Sequence, residues 1–474
     1  MSSRFDASSK VTNKEFATVA PPPRWLIIVT FSIVLLMFFA ASAGVYVFQN
    51  SLRPGQQQRV INALPFMQVF VNRPDMPRTL PTALVATLDA VIPSTLPSHL
   101  LTLSSPAPID TPVWRDVTSS RTVESSATPV IRSTPTIEAR ALSPTPEPVG
   151  IEPLPSTAFI SGLSHEFQTW NNCGPATITI ALSHFGWAEN QAFAASFLKP
   201  NEEDKNVTPR EMVQFVNSQT NVRALTRMGG TLDLVRAFIS RGFPVIVSIG
   251  YAPEGEEWFG HYRAVIGYDD LTQDFYAYDS YLGTGEDGRG LVVSYDEFDS
   301  TWQDFNRNFI VLYEQGAEER IASILGERGD VMRAAELALE TARRETELDP
   351  RNGFAWFNQG TALVALERYD EAALAYDMAR QHELPWRMLW YQFGPYEAYF
   401  AVGRLDDVTA LVMANLNNGG TYVEETHFWQ GQVYLMQGET DNAIASFRRA
   451  LEANPLYSAA QDAIAVLEAQ CTSC

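Results

Sequence analysis

Cysteine is scarce, with three in 474 residues. So few exclude a disulfide framework. Cys471 and Cys474 close the chain as a lone C-x-x-C. One such pair is half a zinc site at most, and a local disulfide or an inert tail is expected there. Basic residues are also short, 34 Lys and Arg against 55 Asp and Glu, for a net charge of −21. The whole excess lies in residues 156–474, which carry 45 acidic and 22 basic side chains. An acidic folded region excludes nucleic acid as a partner, because phosphate contacts need basic patches. No G-x-x-x-x-G-K-[ST] loop is present. No pattern in the chain calls for a cofactor or a metal.

Charge is missing altogether from Trp25 to Phe48, where Thr30, Ser32 and Ser42 alone interrupt an apolar run. At helical rise that run exceeds the hydrocarbon thickness of a bilayer, ~30 Å. A single-pass helix over 25–48 is expected, with residues 1–24 as a cytoplasmic tail and the rest extracytoplasmic, as Lys10, Lys14 and Arg24 ahead of the run suggest. Ala41-Ser42-Ala43 keeps a cleaved signal peptide open as the other reading.

Residues 49–155 hold 17 of the 29 prolines, with many Ser and Thr. Proline at this density breaks helix and central strand, so a flexible linker is expected. Within it Arg59–Asn72 and Thr82–Leu103 are apolar enough to dock.

From about Ser156 helix and strand patterns alternate. Thr208 with Glu211 reads as a capping box opening a helix to Ser218, and Thr231 caps a second helix to Gly242. Pro244–Ile249 reads as a buried strand. His261–Tyr268 and Phe275–Asp279 read as a hairpin turning at Asp269–Gln273. Helices followed by antiparallel strands predict an α+β domain over 156–315.

Beyond Gln315 the strands stop and a repeat appears. Gly360, Leu363, Tyr369, Ala372, Tyr376, Ala379 and Pro385 recur at nearly the same offsets as Gly431, Tyr434, Gly438, Ala443, Phe447, Ala450 and Pro455. Tyr399 and Gly403 mark a degenerate copy between them. This pattern resembles the tetratricopeptide repeat. It implies an all-α superhelix over 316–470, with a concave face for a protein partner.

Cys173 is the only cysteine in the first 470 residues. Gly174-Pro175 follows it and leads an apolar run ending at Gly186, with Asn171 and Asn172 as candidate caps. The sulfur therefore belongs at a helix N-terminus, where the helix dipole favours thiolate. His261 lies 88 residues further on and Asp279 another 18, so the expected hairpin brings the two together. A nucleophile, a base and an orienting carboxylate make a triad. Gln168 and the Cys173 N–H are the candidate donors to an oxyanion. His165 is a rival base without a placed carboxylate, and His184 sits three turns along the Cys173 helix, out of reach.

Gln168-x4-Cys173-Gly-Pro, Gly242-x-Pro244-Val-Ile-Val, Gly260-His261-Tyr and Tyr278-Asp279 together resemble the papain-like cysteine peptidases of the bacteriocin-processing, double-glycine-leader type. The resemblance covers roughly 156–315 and implies a papain-like fold. It implies Cys173 as nucleophile, His261 as base, Asp279 as orienter and Gln168 in the oxyanion hole. The chain departs from the transporter-linked members in having no ATPase P-loop. A peptidase acting on a peptide or protein is the expected function. A catalytically silent binding module and an acyl or amide transferase are the alternatives.

Overall fold

The computed structural model describes residues 24–50, 64, 67, 79–83, 153–252 and 257–471. Its contacts divide into two units, residues 1–75 and 76–474. In the first, helix α1 (Arg24–Asn50) covers the expected membrane segment. Its 27 residues give a length of about 40 Å at 1.5 Å per residue. Among the described residues, however, no helix is long and apolar enough to cross a membrane.

The second unit begins in sequence with a departure from the linker expectation. Most of 49–155 lies outside the described residues, but Thr79–Ala83 is docked on the helical region. Thr79 bridges Pro385, Leu80 N donates to Leu384 O at 2.9 Å, and the Leu80 side chain is buried. Arg380 donates to the carbonyls of Pro81 and Thr82 at 2.7 and 3.1 Å. Proline forbids a ladder on its own nitrogen but leaves its carbonyl free for such a clamp.

The capping box at Thr208 and Glu211 forms, opening a helix Pro209–Gln219. The Thr231 side chain accepts from Leu234 N and opens Leu232–Ile239. With Cys173–Ser183 as α2 and Gln191–Leu198 as α3, these two are α4 and α5. The strands are β1 (Thr157–Phe159), β2 (Val222–Arg227), β3 (Val245–Tyr251), β4 (Phe259–Asp269), β5 (Asp274–Asp279), β6 (Leu291–Ser294) and β7 (Phe309–Glu314). They form one antiparallel sheet in the order β2-β7-β3-β4-β5-β6, with β1 also on β4. The expected strands at 244–249, 261–268 and 275–279 are β3, β4 and β5.

Strand alternation sends neighbouring residues to opposite faces. Val245, Val247, Ile249 and Val265 pack with Phe238 of α5 and with Phe298 and Trp302 of α6 (Tyr295–Gln303). Ile246, Tyr262, Ile310 and Leu312 pack with Ile178 and Leu182 of α2 and Met212 and Phe215 of α4. A sheet covered on both faces explains why β3 reads as an unbroken apolar run. Each fully buried aliphatic contributes about 1.5–3 kcal/mol.

Helix α7 (Glu318–Leu325) lies past the expected domain boundary at 315, yet Ile321 and Leu325 bury in the same core as Phe238. Helical periodicity marks an apolar stripe without saying which core receives it. Among the described residues eight α-helices follow: α8 (Val331–Leu348), α9 (Gly353–Ala365), α10 (Tyr369–Ala379), α11 (Gly394–Ala401), α12 (Leu405–Asn417), α13 (Glu424–Met436), α14 (Thr440–Ala453) and α15 (Ser458–Cys471). The repeated glycines earn their recurrence by close approach. A Cβ on Gly360 would sit 2.5 Å from the Tyr376 ring, and one on Gly431 would sit 2.5 Å from the Phe447 ring. The molecule is thus a mixed α/β domain with an antiparallel sheet, followed by a helical repeat region.

Candidate active site

Cys173 is the first residue of α2. At this position its N–H has no intrahelical acceptor, and Pro175 two residues on has no N–H to satisfy. Gly174 is needed because a Cβ there would meet Val207 Cβ at 3.0 Å. The capping expectation is corrected here. Asn172 stands at the N-cap, but its side chain makes no capping bond. Its Nδ2 donates instead to Gln191 Oε1 at 2.8 Å. Gln191 Oε1 also takes the Thr169 N–H at 2.7 Å, so the loop ahead of Cys173 is clamped to the start of α3. Asn171 is in the left-handed region at φ 59°, which asparagine tolerates. Lys199 fixes it there, donating from Nζ to Asn171 O at 2.9 Å. Burial lowers the Lys199 pKa to about 8, against the raising charges of Asp204 and Cys173.

The expected hairpin forms from β4 and β5, and it brings His261 and Asp279 together. His261 Nε2 and Asp279 Oδ1 are 2.9 Å apart, both side chains buried. Cys173 is near enough to bear on the ring as well. With Nε2 engaged by the carboxylate, Nδ1 is the nitrogen left for sulfur. Burial alone would lower the His261 pKa. The charge of Asp279 and its hydrogen bond, then the neighbouring Cys173, outweigh burial and lift it to about 9. This surrounding favours the imidazolium.

Asp279 accepts more than the ring. Arg263 Nε donates to Oδ2 at 2.8 Å, and the N–H groups of Tyr281 and Leu282 donate to Oδ1 at 2.8 and 2.9 Å. Burial would raise this carboxyl, but His261 first and Arg263 next hold it well below the usual carboxylate range. The sequence reading missed Arg263. Its signal was available, since residues two apart on a strand share a face.

Gln168 lies on the strapped loop. Its N–H donates to Ser280 O at 2.8 Å, and its Oε1 accepts from Ser280 Oγ at 2.9 Å. The amide NH2 is the donor of this side chain. Thr177, one turn after Cys173, reaches Tyr262 O at 3.3 Å and Ser280 Oγ at 3.5 Å. These contacts tie the helix of Cys173 to the neighbours of both His261 and Asp279. The two rival histidines each meet a backbone carbonyl: His165 Nε2 that of Asp279 itself at 2.8 Å, His184 Nδ1 that of Ser161 at 2.9 Å. Among the described residues no cluster of His, Cys, Asp and Glu is arranged to hold a metal ion.

Residues 160–309 match the Peptidase C39 like family. This C39-like segment contains all four candidate residues, and tetratricopeptide repeats match at 320–383 and 424–457. Among solved structures, the peptidase domain of Streptococcus ComA, a bifunctional ABC transporter involved in quorum sensing, is similar at 17% identity. It covers 33% of this chain and 100% of its own, with a TM-score of 0.26. Xylellain, a cysteine protease from Xylella fastidiosa, is similar at 14% identity over 36% of this chain and 90% of its own, TM-score 0.27. A double-glycine-motif protease from an AMS/PCAT transporter, solved with its leader peptide, is similar at 12% identity over 33% of this chain and 95% of its own, TM-score 0.25. No curated protein matches the chain.

Proposed function

We propose that the C39-like segment is a cysteine peptidase of papain-like fold, with Cys173 as nucleophile, His261 as acid and base, Asp279 as orienter and Gln168 as oxyanion donor. The observation that supports this reading is the buried pairing of His261 with Asp279, with Nε2 2.9 Å from Oδ1. The Cys173 thiolate attacks the scissile carbonyl carbon, and the oxyanion that forms takes hydrogen bonds from the Cys173 N–H and the Gln168 amide. His261 Nδ1 gives its proton to the departing amine as the C–N bond breaks, which leaves a thioester. Water then loses a proton to His261 and attacks that thioester, releasing the acid and the thiolate. The tetratricopeptide region would recruit the peptide or protein on which the site acts.

The first test is labelling with an epoxide or vinyl-sulfone thiol probe, with Cys173→Ala as control. Labelling lost in Cys173→Ala and in His261→Ala supports the reading. Equal labelling of wild type and His261→Ala from pH 5 to 8 would make Cys173 an ordinary thiol and favour a silent binding module.

We further propose that residues 25–48 anchor the protein in a membrane, with residues 1–24 cytoplasmic and the two folded regions outside. The support is the uncharged run itself and the basic residues ahead of it. An anchored protein stays in the pellet through a carbonate wash. A soluble species beginning at Gly44 would show a signal peptide cut after Ala43.

A further inference from the structure

The two oxyanion donors, the Gln168 amide and the Cys173 N–H, sit at opposite ends of one short loop. Donors of this kind act only if their spacing is fixed before the charge develops. One buried side chain brackets the loop. Gln191, the first residue of α3, donates from Nε2 to Phe167 O at 2.7 Å and accepts at Oε1 from Thr169 N at 2.7 Å. Those two atoms belong to the peptide groups on either side of Gln168. The same Oε1 accepts from Asn172 Nδ2 at 2.8 Å, and Asn172 is joined directly to Cys173. A single amide therefore holds the backbone on both sides of one donor and the residue before the other.

The partners force the orientation of that amide. Nε2 faces two acceptors, Phe167 O and Glu166 Oε2, the latter at 2.9 Å. Oε1 faces only donors, so a reversed amide would be repelled at every contact. Glu166 accepts at Oε1 from the Gln191 N–H at 2.9 Å and from Thr179 Oγ1. Thr179 lies on α2, six residues beyond Cys173. The network thus joins the donor loop, the helix of Cys173 and the start of α3. Gln191 is 6% exposed, and a buried network with every member bonded is rigid. Ser280 holds Gln168 from the other side, as described above.

We propose that Gln191 is a positioning residue of the oxyanion hole. It touches no reacting atom and acts through Gln168 and the Cys173 N–H, whose separation it sets. This inference rests on the cysteine-peptidase reading. Without Gln191 the buried Thr169 N–H and Asn172 amide lose their acceptor, and the loop relaxes to satisfy them. The Ser280 bonds remain, so the loss is smaller than that from removing Gln168 itself.

The test compares two reactions of Cys173 in the full-length protein at one pH. p-Nitrophenyl acetate acylates the sulfur: the carbonyl passes through an oxyanion, the S–C bond forms, and p-nitrophenolate leaves and is read by its absorbance. Iodoacetamide alkylates the same sulfur by displacing iodide, with no oxyanion, and is read by mass spectrometry of the Cys173 peptide. Cys173→Ala supplies the background for both. Gln191→Met keeps the length of the side chain and loses its amide bonds. It should slow acylation about 10- to 100-fold, the scale of a displaced catalytic group, and leave alkylation unchanged. Gln191→Glu keeps the acceptor but sets a carboxylate against Glu166 and Phe167 O, and it should split the two reactions in the same way. Adding Glu166→Gln turns that repulsion into a hydrogen bond and should restore acylation in part. A role in folding alone would move both reactions together. Acylation that is unchanged in either folded variant, or that falls in step with alkylation, overturns the proposal. A wild type acylated no faster than Cys173→Ala would instead sink the peptidase reading, and this inference with it.

Discussion

Asp279 lies directly across the β4–β5 ladder from Arg263, two residues beyond His261. It does so because β4 carries one extra residue. The register shifts between Val265 and Gly267, leaving Ile266 without a partner on β5. The Ile266 carbonyl turns to the other edge and accepts from Ile160 N at 2.7 Å. Without that bulge the ladder that starts at Asp269 and Asp274 would set Asp279 opposite Ala264. A slip of one residue moves a side chain to the other face. The bulge is what puts carboxylate, imidazole and guanidinium on one side of the sheet.

Arg263 is therefore expected to matter for stability as well as for the site. Arg263→Gln removes one of two cations from a buried carboxylate. Breaking a buried ion pair costs about 3–5 kcal/mol, and His261 as remaining partner puts this case at the low end. Urea unfolding of the Cys173→Ala background with and without the change measures it. A loss below about 1 kcal/mol would mean the guanidinium is not paired as described.

The pH dependence follows from His261. Its folded pKa of about 9 lies above the ordinary 6.5. Its contribution to stability is thus full below pH 6.5 and is lost as the pH rises through about 9. In the proposed mechanism the imidazolium protonates the leaving amine, so kcat/KM should fall on the alkaline side near that value. Asp279→Asn removes the charge that raises the ring and leaves burial, which lowers it. The alkaline limb should then move to lower pH. An unmoved limb would assign it to another group.

Side-chain truncations in the site should rank by role. Cys173→Ala abolishes turnover, because no other described residue supplies a nucleophile there. His261→Ala is nearly as severe, since it removes both base and cation. Asp279→Ala is milder. Gln168→Ala should leave probe labelling largely intact yet slow turnover by about 10²–10³-fold, the usual loss for one oxyanion donor. Probe labelling and peptide turnover measured side by side separate these outcomes.

In the repeats, Gly360→Ala and Gly431→Ala each drive a methyl to 2.5 Å from an aromatic ring. Overpacking of this kind costs about 1–3 kcal/mol, which thermal unfolding reads as a lowered midpoint. The two should behave alike. Disagreement between them would show that the two copies do not pack equivalently.

How much of this was legible in the sequence depends on how far apart the interacting residues are. The Thr208–Glu211 capping box, the helix start at Cys173 and the hairpin between His261 and Asp279 are local, decided within a few residues or across one turn. The glycine and aromatic of each repeat are also local, sixteen residues apart in both copies. Composition and spacing report such features directly. The Asn172 side chain is a different case. Its type suits a cap, but the tertiary fold offers Gln191 as the nearer partner, and a side chain makes the bond its surroundings allow. The docking of Leu80 onto Leu384 spans some three hundred residues and leaves no periodic trace. Likewise Ile266 looks like any strand residue until its neighbours on both edges are in place. Tyr391 carries no motif at all and reaches Gly260 only because the helical region folds back on the sheet. The helix start, the hairpin and the repeat could be read from the residues alone, because short-range hydrogen bonding and hydrophobic period set them. Tertiary structure alone decided the register that aligns Asp279 and the contact of Tyr391 with Gly260, because both depend on packing between segments that no local pattern connects.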